Sequence, residues 1–379
     1  MQRVPLPPRR DWRDKVEALG LAWHTAGGEP YWNEAAYYRF TAREIDEIEA
    51  ASAELYRLCV IAGDHIVDNG LLGRCGVPEP AWDLVREAWA AEPPALNHGR
   101  FDLGYDGRSP PKLFEFNCDT PTALLEAAVV QWDWKEEVAP DLDQFNGLHD
   151  ALVARWREIA PRLPGPRVCF AHFADAAGED TVTTAYLRDT ARLAGLDTGQ
   201  ILMGDIGWRE ADRRFVDLDG RPIDTLFHLY PWEWLLAEPF GAHVGDCGGM
   251  AWIEPVWKLV WSSKALLPIL WELFPGHPNL LPASFEPLAG DHVKKPLFGR
   301  EGANVEVVRG GRTVASNAGP YGAAGFVWQG LYRLPDFDGA HPVIGSWVVD
   351  GAPVGIGVRE GSLITGNTAR FAPHAFEPR

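Results

Sequence analysis

Paired cysteines, long apolar runs and an excess of basic residues are all missing from this chain of 379 residues. The five cysteines are widely scattered and form no C-x-x-C pair, which excludes the common patterns of a zinc site or a redox centre. No run of about twenty apolar residues is present that could span a membrane, and no apolar segment typical of a secretory signal follows the first residues. We therefore expect reduced thiols, no membrane partner and a cytoplasmic location.

Basic side chains are too few for a protein that acts mainly on nucleic acid. The sequence has 35 Lys and Arg against 53 Asp and Glu, a formal net charge of -18 at pH 7. Because phosphate backbones are normally bound by a basic face, we expect no nucleic-acid partner. A cationic substrate would suit the negative field. The 46% of hydrophobic residues is enough for a large core spread over two or three lobes.

Two common nucleotide-binding motifs are absent as well. The chain has no G-x-x-x-x-G-K-[ST] sequence and no G-x-G-x-x-G after a strand, so neither a P-loop nor a Rossmann site is favoured. It also has no internal repeat and no low-complexity linker. We therefore expect lobes that interlock in space instead of separate domains strung along the chain.

Hydrophobic periodicity predicts a helical lobe over residues 1–98. Thr41 and Glu44 have the spacing of a capping box, and apolar residues recur at helical intervals from there to about residue 69. A shorter helix is predicted after Pro80, because proline is well suited to the first turn of a helix. This lobe should therefore contain one long and one short amphipathic helix.

The rest of the chain divides into three further segments. Residues 99–162 are predicted to form a hairpin followed by helices, with Asp119 as an N-cap. Residues 163–253 alternate strands with helices, which indicates a small α/β lobe. Residues 254–379 contain a helix, a glycine-rich loop and a series of antiparallel strands. The predicted fold class is therefore α/β, of the α+β kind.

A hairpin is predicted over residues 100–117. Its two strands alternate polar with apolar residues, and they flank a six-residue turn at 106–111. In a strand, alternate side chains share a face. If the turn is symmetric, residue 105 lies opposite residue 112, and this pairing fixes the register of the whole hairpin.

This register brings four polar side chains to one face of the hairpin, with Asp102 opposite Glu115 and Arg100 opposite Asn117. Facing carboxylates repel each other, which favours a divalent cation between them. The two carboxylates and the amide oxygen are the hard ligands that Mg²⁺ prefers. Arg100 could hold a phosphate or a developing negative charge beside the metal. The alternative is a solvated edge hairpin in which Arg100 bridges the two acids.

A lysine and a glycine-rich loop in the last third are candidates for phosphate binding. Lys295 lies near the end of a predicted strand and supplies a positive point charge. Arg300 and Gly302 belong to the loop that follows, whose backbone is flexible enough to approach phosphates. The alternative for this segment is a plain surface turn.

Three further residues are weaker candidates for a nucleotide contact. Lys264 lies near the start of a predicted helix over residues 263–274, where a lysine is usually solvated, and Lys258 competes with it for the same role. Gln329 could present its amide or its backbone to an adenine. Core strands often carry one solvent-facing glutamine, so the structural interpretation of Gln329 stays open.

Several segments together resemble the glutathionylspermidine synthetase family, specifically its ATP-grasp synthetase domain and the stand-alone bacterial relatives of that domain. They follow one another in the family order over nearly the whole chain. The matching stretches are residues 100–102, 112–126, 254–271, 295–300, 328–329 and 345–360.

The resemblance implies an ATP-grasp fold, with a pre-ATP-grasp-like small lobe and nucleotide-binding lobes over residues 254–379. It implies that ATP lies between two antiparallel sheets and that Mg²⁺ is held by Asp102, Glu115 and Asn117. The residue that matches Arg100 would stabilise the transition state. The residues that match ATP contacts are Lys264, Lys295 and Gln329.

We therefore expect a ligase that uses ATP and Mg²⁺ to activate a carboxylate, peptide-like in kind, as an acyl phosphate and to join it to an amine. A polyamine is one candidate for the amine. Two alternatives stay open. A catalytically inactive relative could bind nucleotide as a sensor or partner protein. A glycoside hydrolase would also use paired carboxylates and tryptophans, but it needs no ATP and leaves the lysines unexplained.

Overall fold

The computed structural model describes residues 1–366 and 369–378. The helices in this part of the chain are α1 (Trp12–Ala18), α2 (Ala42–Asp68), α3 (Trp82–Ala91), α4 (Gln131–Val138), α5 (Leu148–Ile159), α6 (Glu179–Leu193), α7 (Trp232–Leu235), α8 (Lys258–Ser262) and α9 (Leu266–Leu273). A π-helical turn, Glu126–Val130, precedes α4.

The strands are short and are spread over the whole chain. They are β1 (Gln2–Pro5), β2 (Thr25–Ala26), β3 (Glu29–Pro30), β4 (Ala36–Thr41), β5 (His98–Gly104), β6 (Lys112–Asn117), β7 (Arg167–His172), β8 (Asp197–Leu202), β9 (Gly207–Arg209), β10 (Arg214–Val216), β11 (Thr225–Leu229), β12 (Ala251–Ile253), β13 (Ala283–Ser284), β14 (His292–Pro296), β15 (Glu306–Arg309), β16 (Arg312–Ser316), β17 (Phe326–Gly330), β18 (His341–Val349), β19 (Ala352–Gly361), β20 (Arg370–Ala372) and β21 (His374–Glu377).

The long N-terminal helix α2 begins where the capping box predicted. The Thr41 hydroxyl accepts the Glu44 N–H at 3.3 Å, and the Glu44 carboxylate accepts the Thr41 N–H at 2.8 Å, so two of the free N–H groups at this helix start are satisfied. Its apolar stripe, which includes Ile48, Leu55 and Leu58, is fully buried. The helix therefore packs into the largest hydrophobic core of the molecule.

Strands also belong to the N-terminal segment, for which the sequence predicted only helices. β1 pairs antiparallel with β4, and β4 pairs in parallel with β21 near the other end of the chain. β4 is rich in aromatic residues with alternating burial, a pattern that favours a strand. Residues 1–98 thus combine helices with two strands of a three-stranded sheet. The division into four segments stays a prediction.

Two five-stranded antiparallel sheets form the framework of the site. The first has the strand order β20-β19-β18-β5-β6, so the predicted hairpin β5–β6 lies at one edge of it. The second has the order β13-β17-β14-β15-β16. α2 packs against β18 and β19 of the first sheet. This pair of sheets is the arrangement that the sequence resemblance implied.

A four-stranded parallel sheet with the order β12-β11-β7-β8 forms the small α/β unit. α6 connects β7 to β8, as the alternating pattern predicted. Because parallel strands end at the same edge of a sheet, the loops after β7 and β11 open toward one side. Phe173 and Tyr230, which follow those strands, line the cavity described below.

Two local predictions differ from the structure. The helix predicted over 263–274 is present as α9 but begins only at Leu266, and α8 ends at Ser262, which leaves Lys264 in the turn between them. Asp119 does not cap the helix that follows it. Its carboxylate instead accepts the backbone N–H of Trp232 at 2.9 Å, at the start of α7.

The apolar material lies inside the fold, in three hydrophobic clusters. All five cysteines are buried and unpaired, as predicted. Among the helices of residues 1–366 and 369–378, none has both the length and the apolar character that a bilayer crossing requires.

Candidate active site

A cavity of about 430 Å³ lies between the two five-stranded sheets. Side chains from the hairpin, from β14 and β17, from the loop after β14 and from the start of α6 line it. Nine of the ten predicted site residues are among them: Arg100, Asp102, Glu115, Asn117, Lys264, Lys295, Arg300, Gly302 and Gln329. The sequence therefore identified residues that are far apart in the chain and adjacent in space.

The hairpin has the predicted register where it matters for the site. Asp102 lies opposite Glu115, and Arg100 lies opposite Asn117. The register at the turn is different, because Gly104 and not Tyr105 pairs with residue 112. A β-bulge absorbs the difference and leaves Phe114 without an opposite residue. The symmetric turn was wrong, but the bulge restores the pairing of the two carboxylates.

Each carboxylate of the hairpin already has a cationic partner. Arg100 donates from Nε to Asp102 Oδ1 at 2.6 Å and from Nη2 to Asp102 Oδ2 at 3.2 Å. A third donor of Arg100, Nη1, reaches the backbone oxygen of Thr122 at 2.6 Å, which fixes the plane of the guanidinium. Lys264 Nζ lies 3.1 Å from Glu115 Oε2.

Glu115 is ionised at any pH near neutrality. Burial opposes its charge, but the ammonium groups of Lys264 and Lys295 outweigh the burial and lower the pKa of Glu115 to about 2. Asn117 donates from Nδ2 to Glu115 Oε1 at 3.4 Å, so its amide oxygen is left to serve as an acceptor or a ligand.

The donor set fits a hard divalent cation. Within residues 1–366 and 369–378, no group of three or more His, Cys, Asp or Glu side chains could hold a metal ion. Two carboxylates and one amide oxygen are too few for a closed protein cage, but they suit Mg²⁺, which usually shares phosphate oxygens and waters with its nucleotide. They include none of the histidine or cysteine ligands that zinc sites usually contain.

Two lysines from other parts of the chain contact the hairpin. Lys264 donates to the carbonyl of Gly299 at 2.9 Å, which ties the glycine-rich loop to the Glu115 ion pair. Lys295 donates to the carbonyl of Phe114 at 2.9 Å and to Gln329 Oε1 at 2.8 Å. Burial lowers the pKa of Lys295 to about 8, although the Glu115 charge opposes this shift.

Lys258, also a candidate nucleotide contact, lies outside the cavity that the other candidates line. Its side chain is fully buried and lies outside the cavity lining. The ammonium donates to Asn97 Oδ1 at 2.9 Å and lies 3.6 Å from Glu254 Oε2. It also lies 5.0 Å from the ring centroid of Trp257. Of the two competing lysines, only Lys264 reaches the cavity.

An acidic wall that the sequence did not predict closes one end of the cavity. Glu179 and Asp180, the first two residues of α6, line it. Burial raises the pKa of Asp180 to about 7, and the charges of Asp175 and Glu179 add to the shift. Burial likewise raises the pKa of Glu179. One feature of the sequence could have indicated these acids. They begin the helix that follows strand β7, and ligands commonly bind at the carboxyl edge of a parallel sheet.

Glu126 forms a second, deeper acidic position near this wall, in the π-helical turn. Its Oε1 accepts the Tyr31 hydroxyl at 2.7 Å and the Trp23 indole N–H at 3.2 Å. Burial raises the pKa of Glu126 to about 7, and the charge of Glu179 contributes to the shift. Glu126 is absent from the cavity lining, so Glu179 and Asp180 are the acids of this wall that are placed to contact an ammonium group.

Arg300 fastens the glycine-rich loop across the cavity mouth. Its Nη1 donates to Thr120 Oγ1 at 2.5 Å, and its Nη2 lies 3.7 Å from Glu233 Oε1. The guanidinium carbon lies 5.3 Å from the ring centroid of Trp234. Two residues after it, Gly302 has a φ of 68° and a backbone so close to residues 364 and 365 that a Cβ would collide with them. Glycine is thus required at Gly302.

The sequence from residue 3 to residue 377 matches the profile of the family described as glutathionylspermidine synthase pre-ATP-grasp. The chain belongs to this family. A Haemophilus influenzae relative that carries the provisional name acid–amine ligase is 39% identical over 396 aligned residues, which cover the whole of both chains. The predicted family and the predicted class of carbon–nitrogen ligase are therefore confirmed.

Longer members of the glutathionylspermidine synthase family match as well. Trypanothione synthetase from Crithidia fasciculata is 30% identical over 78% of this chain and 49% of its own length. The bifunctional glutathionylspermidine synthetase/amidase of Escherichia coli is 26% identical over 90% of this chain and 59% of its own length. The chain thus spans about half of the first and three-fifths of the second.

A solved structure supports the fold. A glutathione synthetase-like effector from Globodera pallida superposes with a TM-score of 0.54 over 99% of this chain and all of its own, at 9% sequence identity. At that identity the likeness concerns the fold alone, and it agrees with the ATP-grasp class that the family match indicates. The predicted fold class is confirmed.

Proposed function

We propose that this family member is an ATP- and Mg²⁺-dependent ligase that activates a peptide-like carboxylate as an acyl phosphate and joins it to an amine, with release of ADP and phosphate. One observation carries the proposal. Two acids and an amide on one antiparallel sheet line the same cavity as two lysines. The acids could hold the metal ion and the lysines could bind the phosphates of a metal-bound triphosphate.

Asp102, Glu115 and Asn117 would hold the metal. When bound, Mg²⁺ would neutralise the charge of the triphosphate during phosphoryl transfer. The ion pairs that Asp102 and Glu115 make with Arg100 and Lys264 orient both carboxylates before nucleotide arrives. This preorganisation supports their assignment as ligands.

Lys264 and Lys295 would bind the phosphates, and Arg100 would act on the reacting carbonyl group. Arg100 is held by Asp102 and by the Thr122 carbonyl, so its guanidinium has a fixed direction at the cavity wall. A fixed cation is suited to the acyl phosphate and to the oxyanion that forms when the amine attacks. An acyl phosphate is easily hydrolysed, so the loop over residues 299–304 would act as a lid that excludes water.

The acidic wall would bind the amine. Glu179 and Asp180 offer two adjacent carboxylates at the cavity end, and Glu301 lies on the loop that faces them. Several carboxylates favour an amine with more than one positive charge, and the Escherichia coli relative is named for glutathionylspermidine, a conjugate of a peptide and a polyamine. We therefore assign the amine to the polyamine class. The raised pKa of Asp180 would also allow it to accept a proton from the substrate ammonium, which attacks only after it has become the neutral amine.

A screen of ADP release tests this function. Purified protein would receive ATP and Mg²⁺ with paired pools of short peptides and polyamines, and each pool would also be omitted in turn. We expect ADP release only when acid, amine, ATP and Mg²⁺ are all present, together with an amide product in the mass spectrum. Magnesium-linked ATP binding without ADP release in any pool would contradict ligase activity and favour the non-catalytic alternative.

A further inference from the structure

We propose that Gln329 is a positioning residue, which holds the Lys295 ammonium toward the phosphates and does not itself contact the adenine. The bulge at Phe114 supplies the carbonyl groups that anchor both side chains. This role rests on the proposed function, because it requires that the cavity binds a triphosphate. It replaces the direct contact with ATP that the sequence resemblance implied for Gln329.

Both polar ends of the Gln329 side chain are engaged by protein groups. Its Oε1 accepts from Lys295 Nζ at 2.8 Å, and its Nε2 donates to the carbonyl of Leu113 at 2.8 Å. The side chain is only 2% exposed. Gln329 and Lys295 lie on the neighbouring strands β17 and β14, where Lys295 pairs with Val327, so the two side chains are diagonal neighbours on one face.

The bulge explains how the hairpin reaches these two side chains. In a regular strand, successive carbonyl groups point to opposite edges. Here the successive carbonyls of Leu113 and Phe114 both accept hydrogen bonds from the second sheet, one from Gln329 and one from Lys295. Phe114 is the bulged residue, and β6 is the last strand of its sheet. The bulge therefore turns two consecutive carbonyls toward Lys295 and Gln329.

These contacts restrict a side chain that is otherwise flexible. A lysine ammonium carries three N–H donors on a stem of four carbons. Two of the donors of Lys295 are directed by Phe114 and Gln329, and the third is left for a phosphate. Lys294, the next residue back, provides a natural comparison, since its ammonium lies over the ring of Phe326 at 4.3 Å and is absent from the cavity lining.

The test compares ATP with inorganic tripolyphosphate, which has the phosphates and no base. Calorimetry with Mg²⁺ would give both affinities for the wild type, Gln329→Met, Lys295→Met and the double variant. We expect Gln329→Met to lose about tenfold in affinity for both ligands, the effect of one hydrogen bond to a charged group. In the Lys295→Met background, Gln329→Met should add no further loss, because it acts through that lysine.

Two results would overturn the positioning role. A loss for ATP with unchanged tripolyphosphate binding would mean that Gln329 reads the base, and additive losses in the double variant would mean that it acts independently of Lys295. Lys294→Met is the matched control and should bind both ligands like the wild type. If Gln329→Met does not fold, Gln329→Asn, which is too short to span both partners, should show the same loss.

Failure of the proposed function would look different. A folded wild-type protein that binds neither ATP nor tripolyphosphate would contradict the nucleotide site itself, and the positioning role would fall with it. A wild type that binds both ligands, beside a Gln329→Met variant that also binds both normally, would remove the positioning role alone.

Discussion

Lys264 Nζ lies 3.1 Å from Glu115 Oε2 and donates to the carbonyl of Gly299 at 2.9 Å. One ammonium group therefore joins the predicted metal site to the loop that covers the cavity. Because Lys264 lies in the turn between α8 and α9, it reaches both partners without belonging to either sheet.

Lys264→Met should raise the Kd for ATP about tenfold, since it removes a charge-assisted contact at the phosphates. It should also raise the pKa of Glu115, whose charge Lys264 stabilises. Calorimetric titration of the variant with ATP and Mg²⁺ measures the first effect. Lys294→Met is the control, at a lysine outside the cavity lining. Equal ATP affinity in the wild type, Lys264→Met and Lys294→Met would contradict the assignment of Lys264.

Arg100→Lys should lower kcat about 100-fold, which is typical of removing one oxyanion donor, with little change in the KM for ATP. A lysine keeps the charge, but it cannot reproduce the fixed fork that binds Asp102 and Thr122 together. Initial rates of ADP release over a range of ATP concentrations separate the two parameters. Full turnover in this variant would remove the proposed role of Arg100.

Removal of Mg²⁺ with a chelator should abolish ADP release, and added Mg²⁺ should restore it. Glu115→Gln should lower the affinity for Mg²⁺ by more than about tenfold, so that more Mg²⁺ is needed for half-maximal ADP release. A loss of that size is expected even for an outer partner of a metal site. Asp106→Asn changes an acid in the turn of the same hairpin, outside the cavity lining, and should leave the magnesium titration unchanged. Equal shifts in both variants would argue against a site at Glu115.

The KM for the amine should rise as the pH falls. The pKa of Asp180 is about 7, so this carboxylate is ionised above that value and loses its attraction for an ammonium group as it gains a proton below it. A single such group predicts a rise of about tenfold between pH 8 and pH 6. Asp180→Asn should raise the KM at pH 8 and flatten the profile. A wild-type KM that is constant over this range would contradict amine binding at the wall.

Lys258→Met should destabilise the fold by about 3–5 kcal/mol, because it removes the ammonium group beside the buried carboxylate of Glu254 and leaves His98 Nδ1, at 2.9 Å, as the nearest side-chain partner. Urea unfolding followed by circular dichroism measures the loss. The ATP affinity of the folded variant should be unchanged, since Lys258 lies outside the cavity lining. Stability equal to that of the wild type would show that the buried pair contributes nothing.

The sequence predicted which side chains of the hairpin share a face, because side-chain alternation is a local rule. Asp102 and Glu115 face each other as expected, although the turn that led to this pairing has a different register. The carbonyls at the bulge accept hydrogen bonds from Lys295 and Gln329, which lie 181 and 216 residues further along the chain than their acceptors. No local pattern encodes such a contact.

Burial distinguishes other candidate residues that look alike in the sequence. Lys258 and Lys264 lie six residues apart among the same apolar residues, and only the tertiary packing around Trp257 and Trp261 shows that the first is enclosed. Glu179 and Asp180 look like ordinary acids of a first helical turn, which the helix dipole favours. Their role depends on which edge of the parallel sheet the helix starts from.

The parallel pairing of β21 with β4 has a consequence for synthesis on the ribosome. β4 leaves the exit tunnel more than 330 residues before the strand that completes its edge. Until then its backbone N–H and C=O groups on that side lack their native partner, which leaves an open edge prone to wrong pairing. We expect the nascent chain to complete this sheet only after translation of residue 377, and a ribosome stalled earlier to display a protease-sensitive N-terminal segment.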